Sequence, residues 1–354
     1  MRRSFWQRFF SPITLFLWAF RIVVILAILV GSFRTLTAGK YAGDQWIDVI
    51  VFGLSQGSIY ALIALGYTMV YGILRMINFA HGEIFMSGAY TAYFVAAAFL
   101  SSGFLNRNPV VSLLVVIAVA MATSTAIALL VERIAYRPLR RAPRLVPLIS
   151  AIGASFFLQY TFRGFFGAGF QAYPDWNVLK GEVVLAGIGV LRTQAVAIVG
   201  ALFLMTVLYL FVMRTKTGTA MRAVSEDMEV AAMMGIDVDR IIVITFGVGA
   251  AAAGAAGVLY ALVFRQVWFF MGFVPGIKAF TAAVLGGIGN IPGAMVGGIF
   301  LGLIESAGPI LFLDGLGIPS PNQLKDVIAF VMLVMVLIFR PTGILGERLA
   351  TKKA

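Results

Sequence analysis

The sequence predicts an all-α polytopic membrane protein with about ten transmembrane or partly re-entrant helices and both termini in the cytoplasm. Three observations lead there. Of the 354 residues, 61% are hydrophobic and 12% charged, and the mean hydropathy of +0.97 exceeds what a water-soluble domain sustains. Apolar stretches of membrane-spanning length recur from end to end, with no long polar stretch that would encode an extramembrane domain. The basic residues favour the connections of one side.

Taken in order, the first apolar run covers 12–34 and follows the basic start MRRSFWQRFF. It reads as a retained signal anchor, because it is membrane-length, carries Trp18 and Arg21, and precedes no small-residue cleavage site. With its linker it makes residues 1–45 an additional N-terminal span. Further runs follow at 47–72, 77–100, 110–132, 145–167 and 193–213. A polar insert, 217–240, precedes runs at 241–264, 272–289, 293–313 and 324–339. Residues 46–346 form one membrane domain on this reading, and 347–354 a cytoplasmic tail. With the N terminus inside, the inner segments hold seventeen Lys and Arg and the outer ones eight. The net charge of +12 therefore reflects topology, not a nucleic-acid surface.

Several chemistries are excluded at this stage. The chain has no cysteine and one histidine, which removes disulfides, thiol chemistry and a His-built metal site. No G-x-x-x-x-G-K-[ST] phosphate loop is present, so any ATP chemistry belongs to another subunit. No nucleophile and base stand at a recognisable spacing.

The glycines lie mostly within apolar runs and act as packing signals. Gly53-x-x-x-Gly57-x-x-x-Ala61, Gly293-x-x-x-Gly297 and Gly298-x-x-x-Gly302 set small residues on single helix faces, where backbones approach closely. A faint echo between FMSGAYTAYFV and IKAFTAAVLGG is too weak to establish an internal repeat.

Polar groups at membrane depth are costly and mark candidate sites. In MINFAHGEIFMSGAY, Asn78 and His81 share one face of a helix and Glu83, Ser87 and Tyr90 another. Two readings stand: these residues anchor a broken helix, or they shape a cavity at a helix N-terminus suited to a carboxylate. Lys278 lies between Pro275-Gly276 and the Gly286-Gly287-x-Gly289 cluster, in a short or broken span that either lines a route or lets the lysine snorkel. Glu305 pairs with Lys278 if the flanking runs form a hairpin at GNIPG. Arg21 is expected to snorkel or pair structurally.

The insert TGTAMRAVSEDMEVAAMMGIDVDR is amphipathic. Read as a helix, it places Val224, Met228 and Ala231 on one face and Arg222, Ser225, Glu226 and Glu229 on another. Its Glu229-x-Ala231-x-x-x-Gly235 pattern is similar to the segment by which ABC importer permeases dock in a cleft of the ATPase. A helix lying on the membrane surface is the plainer alternative.

Together, GLSQGSIYALIALGYTMVYGILRMINFAHGEIFMSGAY, ERIAYRPLRRAPRLVPLISAIGASFFLQ, the Glu229–Gly235 segment, GIKAFTAAVLGGIGNIPGAMVGGIFLGLIES and PTGILG resemble, in order, the bacterial branched-chain amino acid ABC importer permeases of the LivH type. The resemblance covers about residues 50 to 346. It implies a multi-pass subunit of the bacterial inner membrane, without enzymatic activity, cofactor or metal of its own. Its implied partners are a second related permease, two cytoplasmic ATPase subunits that carry ATP and Mg, and an extracytoplasmic substrate-binding protein. The coupling residues it implies are Arg222, Glu226, Glu229, Ala231 and Gly235. Asn78, His81, Glu83, Lys278, Gly286, Gly287 and Glu305 are the candidates for the translocation pathway or its gate. Three departures stand out: Val230 inside the usual Glu-Ala-Ala tripeptide, the added N-terminal span, and the long outer connection GPILFLDGLGIPSPNQ. The expected cargo is a branched-chain or other hydrophobic amino acid. The alternatives are a permease for urea or short amides, and a stand-alone secondary transporter whose coupling carboxylates would be Glu83 and Glu305.

Overall fold

The computed structural model describes residues 12–140, 142–143, 145–185, 187–340 and 342–346. The first eleven residues and the tail 347–354 lie outside these, as do Arg141 and Arg144, so those contributions to the charge bias rest on sequence.

Among the described residues, nine helices are long and apolar enough to cross a membrane. In chain order the α-helices are α1 (Pro12–Ala38), α2 (Gly43–Leu74), α3 (His81–Ser101), the short α4 (Phe104–Arg107), α5 (Pro109–Val131), α6 (Leu145–Phe166), α7 (Arg192–Arg214), α8 (Lys216–Glu226), α9 (Met228–Met233), α10 (Val238–Phe264), α11 (Phe273–Gly286), α12 (Ile291–Gly308) and α13 (Lys325–Phe339). The run at 272–289 is the one that does not cross. Its helix α11 has 14 residues, a rise of about 21 Å against a hydrocarbon core of roughly 30 Å.

One end of the bundle carries four short strands. β1 (Gln171–Ala172) pairs antiparallel with β4 (Gln266–Val267), and β2 (Glu182–Leu185) with β3 (Ile188–Leu191). Under them Tyr173 and Trp176 are buried. The opposite end carries α8 and α9.

Small residues decide the tightest contact. A Cβ on Gly298 would overlap the backbone of Ala61, and one on Gly302 the backbone of Gly57, so the two small-residue stripes on α2 and α12 face each other. The third stripe, on α12, faces α11, where Gly293 abuts Gly286 and Gly297 abuts Ala282.

The chain also contains an inverted repeat that sequence similarity does not establish. Helix α2 packs on α12 as α10 packs on α5; α3 packs on α5 as α11 on α12; α3 packs on α6 as α11 on α13. The two sets run in opposite senses. Helix α2 ends at Arg75, whose guanidinium donates to the Ser225 carbonyl of α8 at 2.7 Å, and α10 starts just beyond α9. The faintly similar runs 85–95 and 277–287 fall in the equivalent helices α3 and α11.

The added span α1 docks on the long connection 308–323. Gly31 meets the Phe312 backbone, Thr35 donates to the Ile310 carbonyl at 3.3 Å, and Lys40 pairs with Asp314 at 2.8 Å. Two of the features that depart from the resemblance noted above thus contact each other. Arg21 stacks over Trp18 and Phe339, at 4.6 and 3.9 Å from the ring centroids.

Candidate translocation and coupling sites

Residues 217–240 form two helices and not one. Asp227 breaks the run and caps α9, its carboxylate accepting from the Glu229 and Val230 amides at 2.9 and 3.0 Å. Thr215 caps α8 in the same way by accepting from the Gly218 amide. Gly235, at φ +84°, ends α9: its amide reaches the Ala232 carbonyl and the Ile236 amide the Ala231 carbonyl, a left-handed closure that favours glycine.

Burial sorts the predicted coupling residues. Met221, Val224 and Ala231 pack inward with Met69, Ile73 and Val212. Ala231 is therefore a packing residue with no surface to offer a partner, while Arg222, Glu226, Glu229 and Gly235 are exposed. Around them Val230, Met233 and Met234 are 49%, 78% and 79% exposed, an apolar patch larger than a lone surface residue. Behind α8 lies a cavity of about 60 Å³ bordered by Gly72, Arg222 and Ser225 and by Gly289 of the α11–α12 turn. The segment thus rests on the ends of α2 and of the α11–α12 hairpin together.

That hairpin brings Lys278 and Glu305 together. The lysine Nζ donates to Glu305 at 2.6 Å and to Asp326 of α13 at 2.6 Å, and the Gln56 amide of α2 donates to Glu305 at 2.8 Å. Lys278 and Glu305 are buried, whereas the Asp326 side chain is 44% exposed. The lysine does not snorkel; burial holds it in a network with Gln56 and Tyr60. A cavity of about 210 Å³ opens beside it, walled by Tyr60, Tyr260, Phe264, Trp268 and Met271. Gln56 and Asp326 were missed from sequence, although each is a polar group inside or at the edge of an apolar run.

Gly286 and Gly287 belong to the turn. Gly286 is pressed on Gly293, and Gly287, at φ +108°, lies on Gly346. The amides of Ile344 and Leu345 donate to the Leu285 and Gly286 carbonyls at 2.8 and 3.0 Å. The PTGILG motif thereby satisfies carbonyls that the end of α11 leaves open.

Asn78 and His81 do not share a helix face as expected, because α3 starts at His81 and residues 75–80 are non-helical, whereas Glu83, Ser87 and Tyr90 all lie on α3. Asn78 accepts from the Tyr136 hydroxyl at 2.6 Å. His81 lies edge-on to Tyr67, with ring centroids 4.7 Å apart, against Gly66. Glu83 points elsewhere: its Oε1 accepts from Gln159 at 2.6 Å and Ser155 at 3.4 Å, both on α6. The three residues occupy three environments and form no single cluster. Among the described residues, no group of His, Cys, Asp or Glu is arranged to hold a metal ion.

The family described as branched-chain amino acid transport system / permease component matches residues 49–337. The chain is 45% identical over 306 residues to the high-affinity branched-chain amino acid transport system permease protein BraD of Pseudomonas aeruginosa, covering 86% of this chain and 96% of that protein. It is 43% identical over 300 residues to the corresponding LivH of Escherichia coli K12, covering 83% and 94%. A shorter similarity, 28% over 163 residues, links it to the probable branched-chain amino acid transport permease protein LivM of Methanocaldococcus jannaschii, over 42% of this chain and 45% of that one. No solved structure matches. The matched region starts beyond α1 and takes in both halves of the inverted repeat, the coupling-type segment and the buried lysine, and the chain belongs to the permease components of branched-chain amino acid transport systems.

Proposed function

We propose that this permease carries branched-chain amino acids inward across the bacterial inner membrane, driven by ATP on two cytoplasmic ATPase subunits and supplied by an extracytoplasmic binding protein. A second related permease completes the pore. The similarity to a LivM protein favours such pairing, since it places both kinds of permease in one family of sequences. ATP and Mg act on the partners, which fits a chain without a phosphate loop.

The observation that carries this reading is the two-sided α8–α9 segment. Its inner side is built on Met221, Val224 and Ala231, and its outer side presents Val230, Met233 and Met234 among Arg222, Glu226 and Glu229. An interfacial helix resting on lipid has one apolar side turned to the membrane, whereas this segment packs one apolar side against the spans and presents a second, set among charged residues, away from them. A partner that pushes on this segment pushes on the end of α2 and on the Gly289 turn. From there the α11–α12 hairpin reaches Lys278 and the 210 Å³ cavity near the strand end, which the charge bias assigns to the outside. The hairpin, with irregular backbone at both ends of α11, borders the route.

Glu229→Lys tests the coupling. The variant is expected to insert normally, to lose co-purification with the ATPase subunits and to lose substrate-stimulated ATP hydrolysis. Full retention of both would remove Glu229 from the docking face. Single cysteines from Ala279 to Gly289, clean because the chain has none of its own, are expected to react with water-soluble thiol reagents in a nucleotide-dependent pattern. Uniform inaccessibility with normal transport would move the route elsewhere.

A further inference from the structure

At the crossing of the inverted repeat the first turns of α3 and α11 meet. Gly82 packs directly on Gly272 and Gly276, with no room for a side chain between them. Both helices therefore bring their positive ends to one place, inside the bundle and away from either end. A cavity of about 60 Å³ lies there, bordered by Tyr67, Glu83, Ser155, Gly272 and Gly276 and by the apolar side chains Phe79, Ile152, Phe156 and Ile277. Glu83 is 1% exposed, and its Oε2 has no hydrogen-bond partner although Oε1 is held by Gln159 and Ser155. A buried carboxylate oxygen with no donor calls for an explanation. One oxygen of the carboxylate is fixed in place, and the other, equally buried, has no donor in a residue that borders the cavity.

We propose that Glu83 Oε2 receives the α-ammonium group of the amino acid in transit, while the first turn of α11 faces its carboxylate and Ile152, Phe156 and Ile277 flank its apolar side chain. The proposal rests on the amino-acid reading above. The space exceeds the roughly 10–15 Å³ that a single water needs on the same measure, which leaves room for a small polar head group. The polar groups are complementary to a zwitterion: one acceptor without a donor, and helix ends that favour negative charge. The mouth lies between Ile152, Phe156 and Phe273, which are 40%, 48% and 38% exposed. A side chain branching beyond the head group has an apolar surface to follow. This site is separate from the Lys278 network, where a cation is already in place: the lysine donates to Glu305 Oε1 and to Asp326.

The test uses the assembled transporter with its binding protein and ATPases, and Ser155→Cys as a reporter 3.4 Å from Glu83. Relative to their rates with a free thiol in solution, the positively charged reagent MTSEA is expected to label this cysteine about tenfold faster than the negatively charged MTSES, a preference of about 1.4 kcal/mol. Leucine under turnover conditions is expected to slow the labelling. Adding Glu83→Gln, which keeps the side-chain shape and one hydrogen-bonding oxygen, is expected to abolish both the preference and the protection while the complex still assembles. Equal relative rates for the two reagents, labelling that leucine leaves unchanged, or no labelling in any state would overturn the site. Leucine uptake by the parent complex is measured in parallel: uptake without protection rejects only this site, whereas absence of ATP-driven leucine uptake rejects the amino-acid reading itself.

Discussion

Lys278 sits between two carboxylates in a span, and the cost of losing it depends on what is left behind. Removing one member of a buried pair strands the other, typically at about 3–5 kcal/mol, while replacing both with uncharged groups is often close to neutral. Lys278→Met is accordingly expected to lower the thermal stability of the purified complex sharply. The double variant Lys278→Met, Glu305→Gln is expected to recover most of the loss, as read by the midpoint of detergent-solubilised unfolding. Recovery would be partial, because Asp326 also leans on the lysine. A second residue-scale expectation concerns the exposed pair Lys40 and Asp314. The lysine holds the Asp314 carboxyl below its usual 3.8, and the hydrogen bond to Asp314 raises Lys40 above its usual 10.5. The tie is therefore intact through neutral pH, fails in acid as Asp314 protonates, and fails in strong base as Lys40 loses its proton. The distance between spin labels placed on α1 and on the connection 308–323 is expected to stay constant from about pH 6 to 9 and to lengthen only beyond that window.

At the scale of elements, sequence legibility followed the physics of each segment. The nine crossing helices were readable because hydropathy over about 20 residues is a property of the segment alone. The shortness of α11 was readable from Pro275, Gly276 and Gly287 at its ends. What was not readable depended on long-range partners. Asn78 left its expected helix face because Tyr136, 58 positions away, holds it in the non-helical turn. Glu83 found Gln159 across 76 positions. The break at Asp227 was a local signal that went unused, an Asp followed by Glu229 and Val230 amides in cap geometry. Asp227→Ala is expected to cost about 1 kcal/mol of local stability and to speed amide exchange at residues 229–233, with membrane insertion unchanged. Helices α2 and α12 offer a stronger contrast. Gly302→Leu places a side chain where the backbone of Gly57 already lies, and monodisperse protein is expected to be lost on size exclusion, while Gly153→Leu, which meets nothing within 4 Å, is expected to be tolerated.

For the whole molecule, the fold is two inverted halves joined by α7 and the α8–α9 segment, with α1 outside both. Almost none of α1 is buried, so most of its surface faces outward. Deleting residues 1–45 is expected to leave an inserted, transport-competent subunit that inactivates faster on heating. Vesicle uptake of leucine and a thermal inactivation course would measure both. The ties of α1 to the connection reach residues 310 to 315, the Arg21 contact reaches Phe339, and the Thr35–Ile310 bond spans 275 positions. At a synthesis rate of about 5–20 residues per second, α1 enters the bilayer roughly a quarter-minute to a minute before its docking site exists. During biogenesis it waits as a lone helix, which its long apolar run permits although Arg21 and Arg34 interrupt it, and the latch with Asp314 closes only once nearly the entire chain has been threaded. The first span made is thus among the last to be seated, and its latch records that insertion has run to completion.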